Sequence, residues 1–158
     1  MSGNETVMKF AMLGNGRAIP RSAVPELSAV EFSGAVAEAV RSSGLRVVAF
    51  FGMADPEPDC VGLLVVLADD RHAQLFVART RVRGAEFDAL TTECPQVHLF
   101  EREIGEQFGL RAAHHPWFKP VRYQRSWRRD YEAFGHPHDC AIGVTDFYRV
   151  EGDEVHEV

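Results

Sequence analysis

A chain of 158 residues, 46% hydrophobic and 25% charged, can bury one ordinary core and is too short for two full-sized domains. Its formal net charge of −6 argues against a generic nucleic-acid binder, and no apolar run approaches the roughly 18 to 20 residues that a membrane helix needs. Cys60, Cys94 and Cys140 are odd in number and far apart, which fits a reducing compartment and neither a disulfide framework nor a CxxC metal knuckle.

Residues 1 to 26 are rich in Gly, Pro and Ser, with little periodicity beyond Val7 to Leu13, which reads as a strand or a loose lead-in. Lys9 has no long apolar region behind it, so no secretion signal is expected and the cytoplasm is the default compartment. Gly14 and Gly16 are a lone pair that reads as a turn. A helix follows, because Ser28 and Glu31 have capping-box spacing and Leu27 and Phe32 suit a hydrophobic staple. Phe32, Ala35, Val36, Ala39 and Val40 line one of its faces, and Gly44 ends it.

Three strands are expected next, Leu45 to Met53, Val61 to Ala68 and Ala73 to Val82. The first two are rich in Val, Leu and Phe with little polar alternation, as in strands covered on at least part of both faces. Asp69-Asp70-Arg71-His72 is a short polar turn, so the second and third strands form an antiparallel hairpin. Arg79, Arg81 and Arg83 share one face of the third strand, either as a solvated strand end or to dock an acidic partner. A second helix is predicted from Glu86 to about Glu93, stopping before Pro95.

The most informative stretch is His98 to Lys119. Phe100, Ile104 and Phe108 recur every four residues on one helical stripe, leaving Glu101, Arg102, Glu103, Glu106 and Gln107 to other faces. Gly109 is a left-handed stop, and Pro116 and Pro120 keep the following segment out of helix. Glu101 and Glu103 point apart on a helix and cannot jointly hold one ion, whereas Glu103 and Glu106 can approach each other. Arg102 and Glu106 are four apart, so a helical ion-pair face is one reading of these charges and partner binding another. The sequence has no nucleophile elbow, P-loop or dinucleotide glycine fingerprint. The expected fold class is α+β, a single mainly antiparallel sheet with helices packed against it and an extended C-terminal arm.

Residues 111 to 129 carry Arg111, Lys119, Arg122, Arg125, Arg128 and Arg129 without a carboxylate, so they hold +6 and the rest of the chain −12. Trp117, Phe118, Tyr123 and Trp127 are interleaved with these charges, and neither helical nor strand periodicity explains them. An arm with aromatic anchors for another protein would, since Trp, Tyr and Arg dominate interface energies. The other readings are an arm wrapped over its own domain and a surface for single-stranded nucleic acid. His114, His115, His136 and His138, with Asp139 and Cys140, are side chains that zinc or nickel prefers, but they lack a recognised ligand spacing. A metal-binding protein or metal-dependent enzyme built on those four histidines is the alternative function.

Glu101-Arg102-Glu103, Glu106, Phe108, His115, Lys119 and Val121 stand at the spacings of a known signature. On them the chain resembles a family in the peripheral arm of respiratory complex I, the cofactor-free C component of this NADH dehydrogenase, together with its relatives in membrane-bound group 4 nickel-iron hydrogenases. In the hydrogenases the relative is component G or the N-terminal domain of the large subunit. Gln107 and Arg122 depart from usually apolar positions, and Gly105-Glu106 stands where the complex I branch tends to have Trp-Asp, which points to the hydrogenase branch. The resemblance covers roughly residues 28 to 125.

It implies an accessory subunit without cofactor or active site of its own, in a complex whose metal centres belong to neighbours. The direct partner is then the large subunit, which carries nickel-iron in hydrogenases and shapes the quinone site in complex I; the small iron-sulfur subunit lies nearby. The resemblance implies partner-binding roles for Glu101, Arg102, Glu103, Glu106, His115 and Lys119, and a cytoplasmic location, peripheral on the inner face of the membrane through the complex. The expected organisation is a lead-in over 1–27, an α+β core over 28–110 and an arm with a junction tail over 111–158. Val150-Glu151-Gly152-Asp153-Glu154-Val155-His156-Glu157 is similar to the stretch that leads into the large domain of fused hydrogenase-branch proteins. The chain is therefore expected to stop at that junction.

Overall fold

The computed structural model describes residues 8–14, 16–122 and 124–135. Tyr123, His136, His138, Cys140 and the junction tail lie outside the described residues.

The fold is α+β. Strands β1 (Ala11–Gly14), β3 (Arg46–Ala54), β4 (Cys60–Asp69) and β5 (Gln74–Arg83) form an antiparallel sheet in the order β1-β5-β4-β3. The two-residue β2 (Glu26–Leu27) adds to β5 in parallel. The predicted hairpin is present, with Asp69 paired to Gln74 at its mouth. Asp69 closes the turn by accepting the backbone N–H groups of Arg71 and His72, the local bonding that suits Asp to turns.

Helix α1 (Ala29–Ser43) begins and ends where its sequence says it should. Ser28 and Glu31 form the full capping box, and Gly44 sits at φ 67° in the left-handed region with its N–H bonded back to Ala39 O. The predicted second helix over Glu86 to Glu93 is absent. Glu86–Asp88 is instead a strand, β6, paired in parallel with β7 (Arg111–Ala113). The N–H groups of Leu90 and Thr91 then go to the carboxylate of Glu101 at 2.6 and 3.2 Å. Those distant acceptors take the donors that a local helix would have needed, and the segment turns rather than winds.

Helix α2 (His98–Phe108) forms as expected and ends at Gly109, φ 59°. Both helices lie on one face of the sheet. Phe50 and Gly52, two apart on β3, share that face; the ring of Phe32 from α1 lies 5.9 Å from that of Phe50, and the ring of Phe108 from α2 presses on Gly52. Between them Val61, Leu63, Val65 and Leu67 of β4 are fully buried. Gln96, just before α2, accepts the N–H of Val47 at 2.8 Å, where the β3–β4 register shifts, and so ties the start of the helix to the sheet.

Candidate docking site

The charges of α2 do not lie on its solvent side. Glu101 is wholly buried, Arg102 and Glu106 nearly so, and only Leu99 on this helix is a widely exposed large apolar residue. The buried stripe runs through Val97, Glu101, Ile104 and Phe108, at intervals of three and four, rather than through Phe100, which is only half-buried. Arg102 and Glu106 do not form the helical ion pair that their spacing allows; each reaches into the chain that follows the helix.

Glu106 accepts the backbone N–H groups of Val121 at 2.8 Å, Arg122 at 2.9 Å and Gln124. Arg102 donates to the carbonyls of Lys119 at 2.7 Å and Pro120 at 2.9 Å. One helical turn therefore holds five backbone groups of a segment that has no regular structure. Hydrogen bonds to charged groups are roughly twice as strong as neutral ones, so these two side chains supply the order that periodicity does not. Glu101 does the same on the other side of the helix, binding Leu90, Thr91 and the Thr91 hydroxyl. Burial pushes its carboxyl above the usual range, against the pull of those hydrogen bonds.

The arm packs back on its own domain. Phe118 rests on Gly105 and the Tyr131 backbone on Gly109, each so close that a Cβ at the glycine would collide. Trp127 N–H bonds Gln107 O at 2.7 Å, and the Arg128 guanidinium reaches Gly84 O and Phe108 O. Of the readings open from sequence, an arm wrapped over its own domain describes the backbone path as far as residue 135. The wrapping nonetheless leaves Trp117 52% and Trp127 69% exposed.

His115 is buried beside α2. Its Nε2 lies 3.2 Å from His98 O and its Nδ1 3.1 Å from the backbone N–H of Trp117. A carbonyl only accepts and an amide only donates, so Nε2 carries the proton and the ring is neutral. Burial, with Arg102 nearby, holds its pKa below the ordinary histidine value, opposed by the bond to His98 O. His98 stacks between His115 and Trp117, at 5.1 and 6.0 Å. Arg102 lies 4.6 Å and Lys119 5.4 Å from the Trp117 ring centre.

Of the six expected partner-binding residues, Glu101, Arg102, Glu106 and His115 are thus engaged inside the chain, and only Glu103, half-buried, and Lys119, exposed, face outward. Glu103 bonds Gln107 and pairs with Arg122 at 2.9 Å. The strand arginines are paired within the chain: Arg79 with Glu26, Arg81 with Asp55 and Glu57, Arg83 with Glu57. Asp55 is held below the usual carboxylate range chiefly by its hydrogen bond from Arg81.

No protein-family model matches the chain, and no curated protein does.

Among the described residues no three His, Cys, Asp or Glu side chains come together as a metal-binding group. His114 lies 3.5 Å from Asp88 on the surface, apart from the bonding of His115. No described helix is long and apolar enough to cross a membrane.

What sequence reasoning missed is the division of labour on α2. A signal was present, since Glu101 lies three residues before Ile104 and seven before Phe108, on the buried stripe. Gly105 and Gly109, both seats for the returning arm, were the other clue.

Proposed function

We propose that this protein is a non-catalytic assembly subunit, or N-terminal domain, of a membrane-associated oxidoreductase complex of the complex I type. A group 4 nickel-iron hydrogenase is favoured over an NADH dehydrogenase by Gly105-Glu106 in the signature. It docks on the large subunit, beside the small iron-sulfur subunit, and lies on the cytoplasmic face of the membrane through that complex. It contributes no bond-making group and no cofactor of its own.

The observation that supports this reading is the use made of the signature charges. Glu106 and Arg102 are buried to fix an irregular arm whose two tryptophans stay outside. Burying a carboxylate and a guanidinium costs several kcal/mol each before their hydrogen bonds compensate, a high cost for a loop with no further task. Prearranging a loop that carries aromatic and cationic side chains lowers the ordering cost of binding a partner. Glu101, Arg102, Glu106 and His115 therefore serve docking indirectly, as positioning groups, while Glu103, Lys119 and the tryptophans meet the neighbour.

Purification of the tagged full chain from its native cells tests this. The expected result is recovery with a large subunit and an iron-sulfur protein, with the metal in those partners. A chain recovered alone and carrying a stoichiometric transition metal would replace this reading with the histidine-metal one.

A further inference from the structure

We propose that the arm recognises an acidic segment of a partner protein, with Lys119, Arg125 and Arg129 meeting carboxylates and Trp117 and Trp127 as apolar anchors. The inference rests on the docking reading and names the chemistry of the surface docked upon.

The arginines on the strands of the main sheet find carboxylates. Arg46 pairs with Asp70 at 2.8 Å, Arg79, Arg81 and Arg83 with acids across the sheet, and within the arm itself Arg122 with Glu103. Arg128 is committed to two carbonyls and to the Tyr131 ring, 3.6 Å away. Lys119, Arg125 and Arg129 are exposed and form no ion pair among the described residues. Exposed arginines without an ion pair also occur elsewhere among the described residues, at Arg17, Arg21 and Arg71, but the arm gathers three such cations within eleven residues and beside two exposed tryptophans.

The aromatic groups beside them are fixed in place. Trp127 packs edge-on against Phe108, 5.5 Å between ring centres, and forms one wall of a cleft of about 610 Å³ lined also by Pro58, Asp59, Cys60 and Tyr131. Trp117 is held flat by His98 and Arg102. Rigid, half-exposed Trp beside Arg and Lys is the composition of an interface anchor that gains most when a partner removes the remaining water.

A uniformly anionic lipid surface or a phosphate backbone fits less well. Glu103, Asp59, Asp130 and Glu132 stand among the same side chains and would be repelled by such a surface, whereas a folded partner can place its carboxylates at three points and neutral or basic groups opposite the acids.

The probe is the assembly recovered with the tagged chain, stripped of it and offered the purified full chain again. Rebinding is measured at about 50 mM and about 500 mM salt, where exposed charges are respectively felt and screened. Wild-type chain should rebind tightly at low salt and weakly at high salt. The Lys119→Glu/Arg125→Glu/Arg129→Glu chain should rebind about tenfold more weakly at low salt, and the charge-conserving Lys119→Arg/Arg125→Lys/Arg129→Lys chain normally. Hydrogen exchange over the sheet checks that each variant is folded, and Trp127→Ala, which alters no charge, should weaken rebinding at both salts.

Failure of wild-type chain to rebind at either salt would overturn the docking reading and this inference with it. Rebinding indifferent to both salt and charge reversal would overturn only the acidic partner. Stronger binding to phosphatidylserine vesicles than to the assembly would overturn it in favour of a membrane surface.

Discussion

The backbone N–H of Val121 points at the carboxylate of Glu106 across 2.8 Å, so a buried charge on α2 orders an arm that begins after the helix has ended. Glu106→Gln keeps the shape but exchanges one acceptor oxygen for an NH₂ group facing backbone donors. The expected cost is roughly 2 to 3 kcal/mol, with amide exchange at Val121, Arg122 and Gln124 rising well before that of β4. Unchanged protection at those three amides would mean that the arm holds its own shape without Glu106.

Gly105→Ala separates two effects of opposite sign. In a helix interior Ala is favoured over Gly by about 1 kcal/mol, yet here the new methyl meets the Phe118 ring. Overpacking costs about 1 to 3 kcal/mol, so the melting temperature is expected to fall, or to hold only if Phe118 lifts and the arm becomes protease-sensitive. A higher melting temperature with the arm still protected would show that the contact is loose.

His115 gives the site a pH dependence of definite sign. Its folded pKa is below the ordinary value of about 6.5, so the unfolded chain takes up the proton first. Stability from this group is present above about pH 6.5 and is lost as pH falls through the interval down to the folded pKa. His98, lowered by burial and by His115 and Arg102, acts in the same direction. Glu101, raised by burial and 3.9 Å from His115, acts oppositely: its contribution is lost as pH rises from about 4.5 through its folded pKa. A ring-specific NMR titration isolates the histidine. It should show His115 titrating below 6.5 together with a change in the Trp117 amide, which loses its acceptor once Nδ1 is protonated. A midpoint at or above 6.5 would contradict the bonding assigned to the ring.

Arg83 and Glu57 provide the contrast. Their contact is short, 2.5 Å, but the side chains are 69% and 49% exposed. Water and salt screen such an exposed pair, so Arg83→Ala should leave the melting temperature nearly unchanged and the arm unaffected. A loss as large as that of Glu106→Gln would mean that the sheet's outer charges matter more to the fold than burial indicates.

Local features were legible in the sequence. Ser28, Glu31 and Gly44 bound α1 by interactions within a turn of chain, and the polar link after Asp69 marks the β4–β5 hairpin, so each could be read without knowing what packs nearby. Segment 86–93 could not, because its strand pairing and its acceptor on Glu101 come from residues further along the chain. The burial of Glu101, Arg102 and Glu106 was hidden by the usual rule that charges face water, which fails when a neighbouring segment supplies backbone groups to satisfy them. The path of the arm had no periodicity to read, since it is held by side chains of α2 and by the seats at Gly105 and Gly109.

In the proposed docking, a buried scaffold on α2 presents the arm to a neighbouring subunit. Hydroxyl-radical footprinting of the full chain, alone and in its native assembly, tests it most directly through Trp117 and Trp127, 52% and 69% exposed in the chain by itself. Both indoles should be oxidised readily in the free chain and protected in the assembly, while exposed Met12 on β1 is oxidised equally in each. Equal oxidation of the two tryptophans in both states would mean that the arm is not the docked surface.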